Sequence, residues 1–251
     1  MKIVTGFFMA WSNFLALPCP YKKWDENSRG VMIALLPSIG AVIGAVWMLL
    51  LAIIINIDMP VIFAAFLMML YPYRVSGFFH LDGFMDCTDA IMSRRPLEDR
   101  QRILKDSSVG AFAVIALVML VLCMYTAMMS GAVFANKWSF FIIPIASRSI
   151  ASFSVMSFKP IGHSQFAGDY QMGKSIIEKV LTLIQTLIFL TLAILITSEV
   201  FEVLAVFAVA YIAGFLTSIY GKNQLGGYSG DIAGMSIVVS ELAAVILLIF
   251  I

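Results

Sequence analysis

Charge is what this 251-residue chain has least of: Asp, Glu, Lys and Arg make up 12% of it, where a soluble domain carries roughly 25%. A surface so poor in charge cannot be covered by water alone. With 61% hydrophobic residues and a mean hydropathy of +0.98, the solvent it is built for is lipid. Charge of one sign is missing too, since the formal net charge is only +1. That excludes the basic footprint of a nucleic-acid-binding protein. Cysteine is scarce: Cys19, Cys87 and Cys123 are scattered, with no CxxC or Cys/His spacing. Nothing in their placement calls for a disulfide or a sulfur-ligated metal. Internal repeats and Pro/Gly/Ser-rich linkers are also absent, so residues 1–251 read as a single membrane-embedded domain.

Long apolar runs, by contrast, are plentiful. A helix needs about 20 apolar residues to cross a bilayer, and runs of that order fall at 31–57, 61–79, 109–133, 138–158, 176–197, 200–220 and 232–251. The expected fold is all-α and integral to the membrane: a polytopic helix bundle with seven transmembrane helices plus a short N-terminal element. That element, 7–17, is too short to span. Lys2 gives it a faint signal-peptide look, but it reads as a re-entrant or interfacial helix ended by Pro18 and Pro20. The sequence is compatible with a homo-oligomer and does not specify one.

Orientation follows from counting cations. The connections after the first, third and fifth spans are short and hold only Lys137, whereas the longer connections on the other side, counted with span ends, hold twelve Lys and Arg. The positive-inside bias puts the longer loops in the cytoplasm, and the expected location is the cell inner membrane with the polar face cytoplasmic.

On that face lies His80-Leu81-Asp82-Gly83-Phe84-Met85-Asp86-Cys87-Thr88-Asp89. Offsets of four and three place Asp82, Asp86 and Asp89 on one helical face. Three neighbouring carboxylates repel one another unless a cation sits between them, and oxygen-only ligands suit a hard ion such as Mg²⁺, which joins carboxylates to substrate phosphates. The bland alternative is a solvated acidic helix start. Gly83 is either a turn signal or a point of close approach for a phosphate or a neighbouring backbone. His80 is open to three readings: general base, partner of Asp82, or interfacial histidine.

Asp106-Ser107 precedes the third span, with Asp106 expected as its N-cap. Gly226-Gly227-Tyr228-Ser229-Gly230-Asp231 runs into the last span, and such a glycine-rich entry to a helix is a natural phosphate cradle. Glycines also end helices, and Asp231 could equally be a simple N-cap. Arg74, Arg148 and Glu241 fall inside predicted spans, where charges are costly and face the bundle interior. They suit either a buried ion pair or the polar floor of a substrate cavity, and an ion path through a transporter would use such residues too.

Taken together, these motifs resemble the membrane-bound cobalamin synthases, the adenosylcobinamide-GDP ribazoletransferases, over most of the chain. The most specific match is Gly77-Phe78-Phe79-His80-Leu81-Asp82-Gly83 followed by Asp86 and Asp89. Ser28-Arg29-Gly30, Asp106-Ser107, Ser147-Arg148, Gly226-Gly227, Gly230-Asp231 and Glu241 are similar to the family pattern in the same order. Departures are Ala16, Ala90, Ala113 and the 159–174 stretch. The resemblance implies a Mg²⁺-dependent transfer from adenosylcobinamide-GDP to α-ribazole or its 5′-phosphate, with release of GMP. It assigns the chemistry to His80, Asp82, Asp86 and Asp89, with metal on the three aspartates. Substrate contacts would come from Gly83, Asp106, Ser107, Arg148, Gly226, Gly227, Gly230, Asp231 and Glu241. A looser similarity to the CDP-alcohol phosphotransferases is weakened because Met85-Asp86 stands where their Ala-Arg follows the Asp-Gly.

Overall fold

The computed structural model describes residues 2–162 and 176–251; Lys174, counted above among the loop cations, lies outside them. Among the described residues regular structure is helical, apart from a single bridge between Pro160 and Tyr228. Six helices are long and apolar enough to cross a membrane: α3 (Leu36–Asn56), α7 (Ala111–Met129), α8 (Lys137–Ser157), α9 (Ile176–Ile196), α10 (Val200–Leu225) and α11 (Gly230–Leu247). The seventh expected span is broken. The run at 61–79 holds α4 (Val61–Val75), 15 residues long, which is apolar and long enough for a span only when taken together with α5 (Phe79–Met92), from which it is bent by 86°. α1 (Lys2–Phe14), α2 (Arg29–Ala34) and α6 (Leu97–Ile103) complete the set.

α8 is the axis of the bundle. Its apolar window is 94% buried, against 22% for α9 and α10, whose outer faces are left for lipid. Gly40 and Gly44 of α3, four residues apart, lie on the backbone of Phe141 and Pro144 of α8. Such small-xxx-small pairs let membrane helices approach closely when no hydrophobic driving force separates helix from lipid.

Apolar periodicity runs unbroken through 31–57, yet the chain breaks at Leu35 into α2 and α3. Pro37 is the cause: without an N–H it cannot bond the Ile33 carbonyl. Ser152 donates to that carbonyl instead at 2.7 Å, and Gln185 and Thr182 donate to the neighbouring Ala34 carbonyl at 3.0 and 3.2 Å. Backbone freed inside a membrane must find such partners. The break is therefore also what ties α2 to α8 and α9.

Candidate functional site

α5 leaves the bundle axis because α4 ends in two consecutive left-handed residues. Gly77 and Phe78 have φ of 64° and 63°, and Phe78 N–H donates back to the Tyr73 carbonyl at 2.8 Å. This is the left-handed close of a helix, where glycine is favoured. α5 then departs at 86° from α4 and packs against the start of α11, and it is not one of the six spans. It rests on the start of α11 through two glycines. A Cβ on Gly83 would come within 2.8 Å of the Asp231 Cα, and one on Gly234 within 3.2 Å of the His80 carbonyl oxygen. Of the two uses open to Gly83 from sequence, the structure shows the close approach of a neighbouring backbone.

That contact adds a fourth carboxylate. Asp82 is exposed, Asp86 and Asp89 are half-buried along the same face of α5, and Asp231 in the first turn of α11 faces them. Partial burial, then the charges of Asp82, Asp231 and Asp89, push the Asp86 carboxyl up to about 7. Repulsion between neighbouring carboxylates thus adds to burial, which is the larger cause. Among the described residues no three His, Cys, Asp or Glu side chains converge closely enough to hold an ion by themselves. The donor set is nonetheless all carboxylate oxygen. It fits a hard cation shared between one or two carboxylates and a substrate phosphate, the usual manner of Mg²⁺, better than a cage of protein ligands alone.

The Asp89 carboxylate lies directly against Gly110, which opens α7, so a side chain at 110 would occupy the same space. Asp106 is not the N-cap of that helix as expected. It is exposed four residues earlier, accepting from the Ser108 backbone N–H at 2.9 Å, which holds its carboxyl below the usual range. Gly110 takes the cap position without a side-chain bond. Ser107, also exposed, lies on the same short loop.

His80 points away from this cluster. It is 5% exposed, and its Nδ1 has no hydrogen-bond partner among the described residues. Burial, followed by the charge of Arg148, drives the imidazole down to about 3, so it is neutral at any physiological pH. Arg148 and Glu241 form a buried ion pair between α8 and α11, each side chain 2% exposed, with Ser147 bonded to both. Of the three sequence readings for these charges, the ion pair is realised, and Arg148 Nη2 is left over without a partner among the described residues. A buried polar group in that state costs about 1–3 kcal/mol. Arg74 departs from expectation: it is exposed at the end of α4 rather than turned into the bundle.

Among the described residues, His80 and Arg148 are the only polar side chains on a narrow cleft otherwise walled by residues such as Ile33, Leu36, Ala151, Val155 and Ile237. Its free space is about 20 Å³, room for one water. Sequence patterning had no means of finding this cleft, because its walls are ordinary apolar positions on α2, α3, α8 and α11.

The glycine-rich entry to α11 has structural work to do. Gly226 (φ 74°) closes α10 in the left-handed conformation beneath Leu97 and Gln101 of α6, and Gly227 lies against the Ile161 backbone. Ile161 N–H and Tyr228 N–H donate to Tyr228 and Lys159 carbonyls at 3.0 and 2.9 Å. Gly226 and Gly227 therefore pack against protein. Gly230 at the helix start lines the cleft beside His80, and Ser229 rather than Asp231 is the N-cap.

This end of the bundle thus brings together residues far apart in sequence, and comparison with known proteins points the same way along the whole chain. A family model described as cobalamin-5-phosphate synthase matches residues 6–249. An adenosylcobinamide-GDP ribazoletransferase of Clostridium perfringens is 35% identical, covering 96% of this chain and 95% of the relative. Proteins of the same name from Clostridium botulinum, at 33% identity with 96% and 95% covered, and Carboxydothermus hydrogenoformans, at 30% with 91% and 90% covered, are similar. No solved structure matches the chain. The chain belongs to the cobalamin-5-phosphate synthase family.

Proposed function

We propose that the chain transfers the adenosylcobinamide-phosphate group from adenosylcobinamide-GDP to α-ribazole or its 5′-phosphate, completing the nucleotide loop of the cobamide. A ribose hydroxyl of the acceptor attacks the pyrophosphate phosphorus nearer the cobinamide. The new P–O bond forms, the bridging P–O bond breaks, GMP leaves, and the hydroxyl proton is taken up. The observation that carries this reading is the carboxylate cluster of Asp82, Asp86, Asp89 and Asp231, held at one end of a bundle whose length matches the family throughout.

Asp82, Asp86 and Asp89 would hold Mg²⁺ against the pyrophosphate, and the ion would neutralise charge building on the bridging oxygen. The proton is best matched by a carboxylate. An acceptor group should titrate near the working pH; the His80 imidazole, held well below it by burial, does not, and a rim carboxylate that the ion leaves free is the better match. His80 then binds and orients rather than removing a proton. The exposed face of α5 takes the phosphates. The basic loops around it, with Arg94, Arg95 and Lys105 exposed, favour an anionic donor and a cytoplasmic setting. Membership of this family removes the ground for the CDP-alcohol phosphotransferase and transporter alternatives.

The test is to reconstitute the protein in lipid with adenosylcobinamide-GDP, α-ribazole and Mg²⁺ and to follow GMP and the cobamide together. Equal release of both is expected. No turnover from folded protein would overturn the reading.

A further inference from the structure

The carboxylate face accounts for the phosphates but leaves unused the cleft beside it, which holds two buried nitrogens with no partner. His80 Nδ1 and Arg148 Nη2 are both unbonded among the described residues, on side chains 5% and 2% exposed, and both line this cleft. Native interiors rarely leave such groups without a partner, and when they do an unseen occupant is the first explanation to seek.

The shape of the cleft limits what that occupant can be. Val155, Ala151 and Arg148 follow one another down a single face of α8, and Gly230, Ala233, Gly234 and Ile237 down the facing side of α11. Seven residues of helix are roughly 10 Å, so the slot is one ring system deep. It opens beside Phe79, which is 44% exposed and stands edge-on to Phe14 at 6.2 Å. It begins where Gly83 and Gly234 bring α5 onto α11, next to Asp231. A ligand in the slot therefore reaches the carboxylates with its outer end.

We propose that this cleft is the subsite for the flat aromatic heterocycle of the acceptor nucleoside, with Arg148 Nη2 and His80 Nδ1 as its polar contacts. The assignment rests on the ribazoletransferase reading and divides its substrates by chemistry. A corrin macrocycle is too broad for a slot between two helices. Guanine carries several hydrogen-bonding groups on its edges and would bury most of them against Ile33, Val155 and Ile237. A benzimidazole nucleoside has apolar edges and one free ring nitrogen, a single acceptor to which Arg148 Nη2 or a His80 Nδ1–H can donate, which matches apolar walls with few polar points. With the heterocycle inside, its ribose projects toward Asp86 and Asp231, where the attacking hydroxyl is needed. The resting cleft has room for a single water, so entry of the ring displaces it, turns Phe79 and Phe14 aside and parts the apolar walls on α8 and α11.

Steady-state kinetics of the reconstituted protein, with acceptor and donor varied separately, decide the matter. Ala151→Leu fills the slot from a position 1% exposed and is expected to raise the acceptor KM at least tenfold with the donor KM within twofold. Ile33→Ala widens the slot and is expected to shift preference toward a bulkier base, read as the ratio of kcat/KM for α-ribazole and for a nucleoside with a larger fused-ring base. This second variant keeps the proposal testable if Ala151→Leu does not fold. A rise in donor KM instead, or unchanged acceptor kinetics in both variants, would overturn the proposal and leave the cleft to water. Wild-type protein that does not turn over at all would instead defeat the reading on which the subsite rests, so the two failures are distinguishable.

Discussion

At the scale of single residues, two groups of charges in this chain obey opposite physics. Arg148 and Glu241 are buried and neutralise each other, whereas Asp82, Asp86, Asp89 and Asp231 share a sign and crowd one rim. Removing one member of the buried pair strands the other charge, which typically costs about 3–5 kcal/mol. Glu241→Gln should therefore lower the thermal unfolding temperature sharply, and Arg148→Met combined with Glu241→Leu should recover part of the loss. For the rim the sign is different. A carboxyl raised in the folded state to about 7 from its ordinary 3.8 keeps its proton in the fold at a pH where the unfolded chain has lost it. Stability without divalent cation is then expected to fall as pH rises from about 4 through 7. Unfolding temperatures measured at pH 5 and pH 8 should show this fall, and added Mg²⁺ should reverse it at pH 8. His80→Asn should lower turnover while leaving the shape of its pH profile unchanged, since a neutral, buried imidazole contributes no limb. A lost limb would restore His80 as a base.

At the scale of elements, the hydropathy of the sequence located the spans to within a few residues because apolar length is a local property. The interruptions were less legible. The break at Leu35 is signalled only by Pro37 inside an apolar run, and its consequence depends on Ser152, Thr182 and Gln185 from distant helices. The turn at Gly77-Phe78 hides at the end of a run that reads as one span, and it sends the chain off at 86° into α5. The spacing of Asp82, Asp86 and Asp89 was readable because it is written within α5. Their meeting with Asp231 was not, since it depends on Gly83 allowing α5 onto α11. The glycines at 226 and 227 suggested a phosphate cradle, but here they serve helix closure and backbone packing. Gly83→Val tests the crossing: turnover should fall at least about a hundredfold, as misplacement of about 1 Å does in catalytic sites, while helix content by circular dichroism stays unchanged.

For the whole molecule, the arrangement is a hydrophobic frame around α8 that presents one polar end. A donor with a bulky corrin can approach that end from the membrane surface, while a narrow apolar slot lies beside the carboxylates. The cation count along the sequence sets the expectation that this end is cytoplasmic, and that is open to direct measurement. A single cysteine introduced at Ser107, in a background with the three native cysteines replaced, should react with an impermeant maleimide only from the cytoplasmic side. The claim on which everything else depends is that the aspartate rim carries the transfer. The most direct measurement is turnover of wild-type and Asp82→Asn protein, reconstituted side by side in the same vesicles, with Mg²⁺ titrated from zero. The expected result is wild-type release of GMP and cobamide that rises with Mg²⁺ and is all but abolished in Asp82→Asn at every Mg²⁺ concentration. Wild-type rates in the folded Asp82→Asn protein, or turnover indifferent to Mg²⁺, would contradict it.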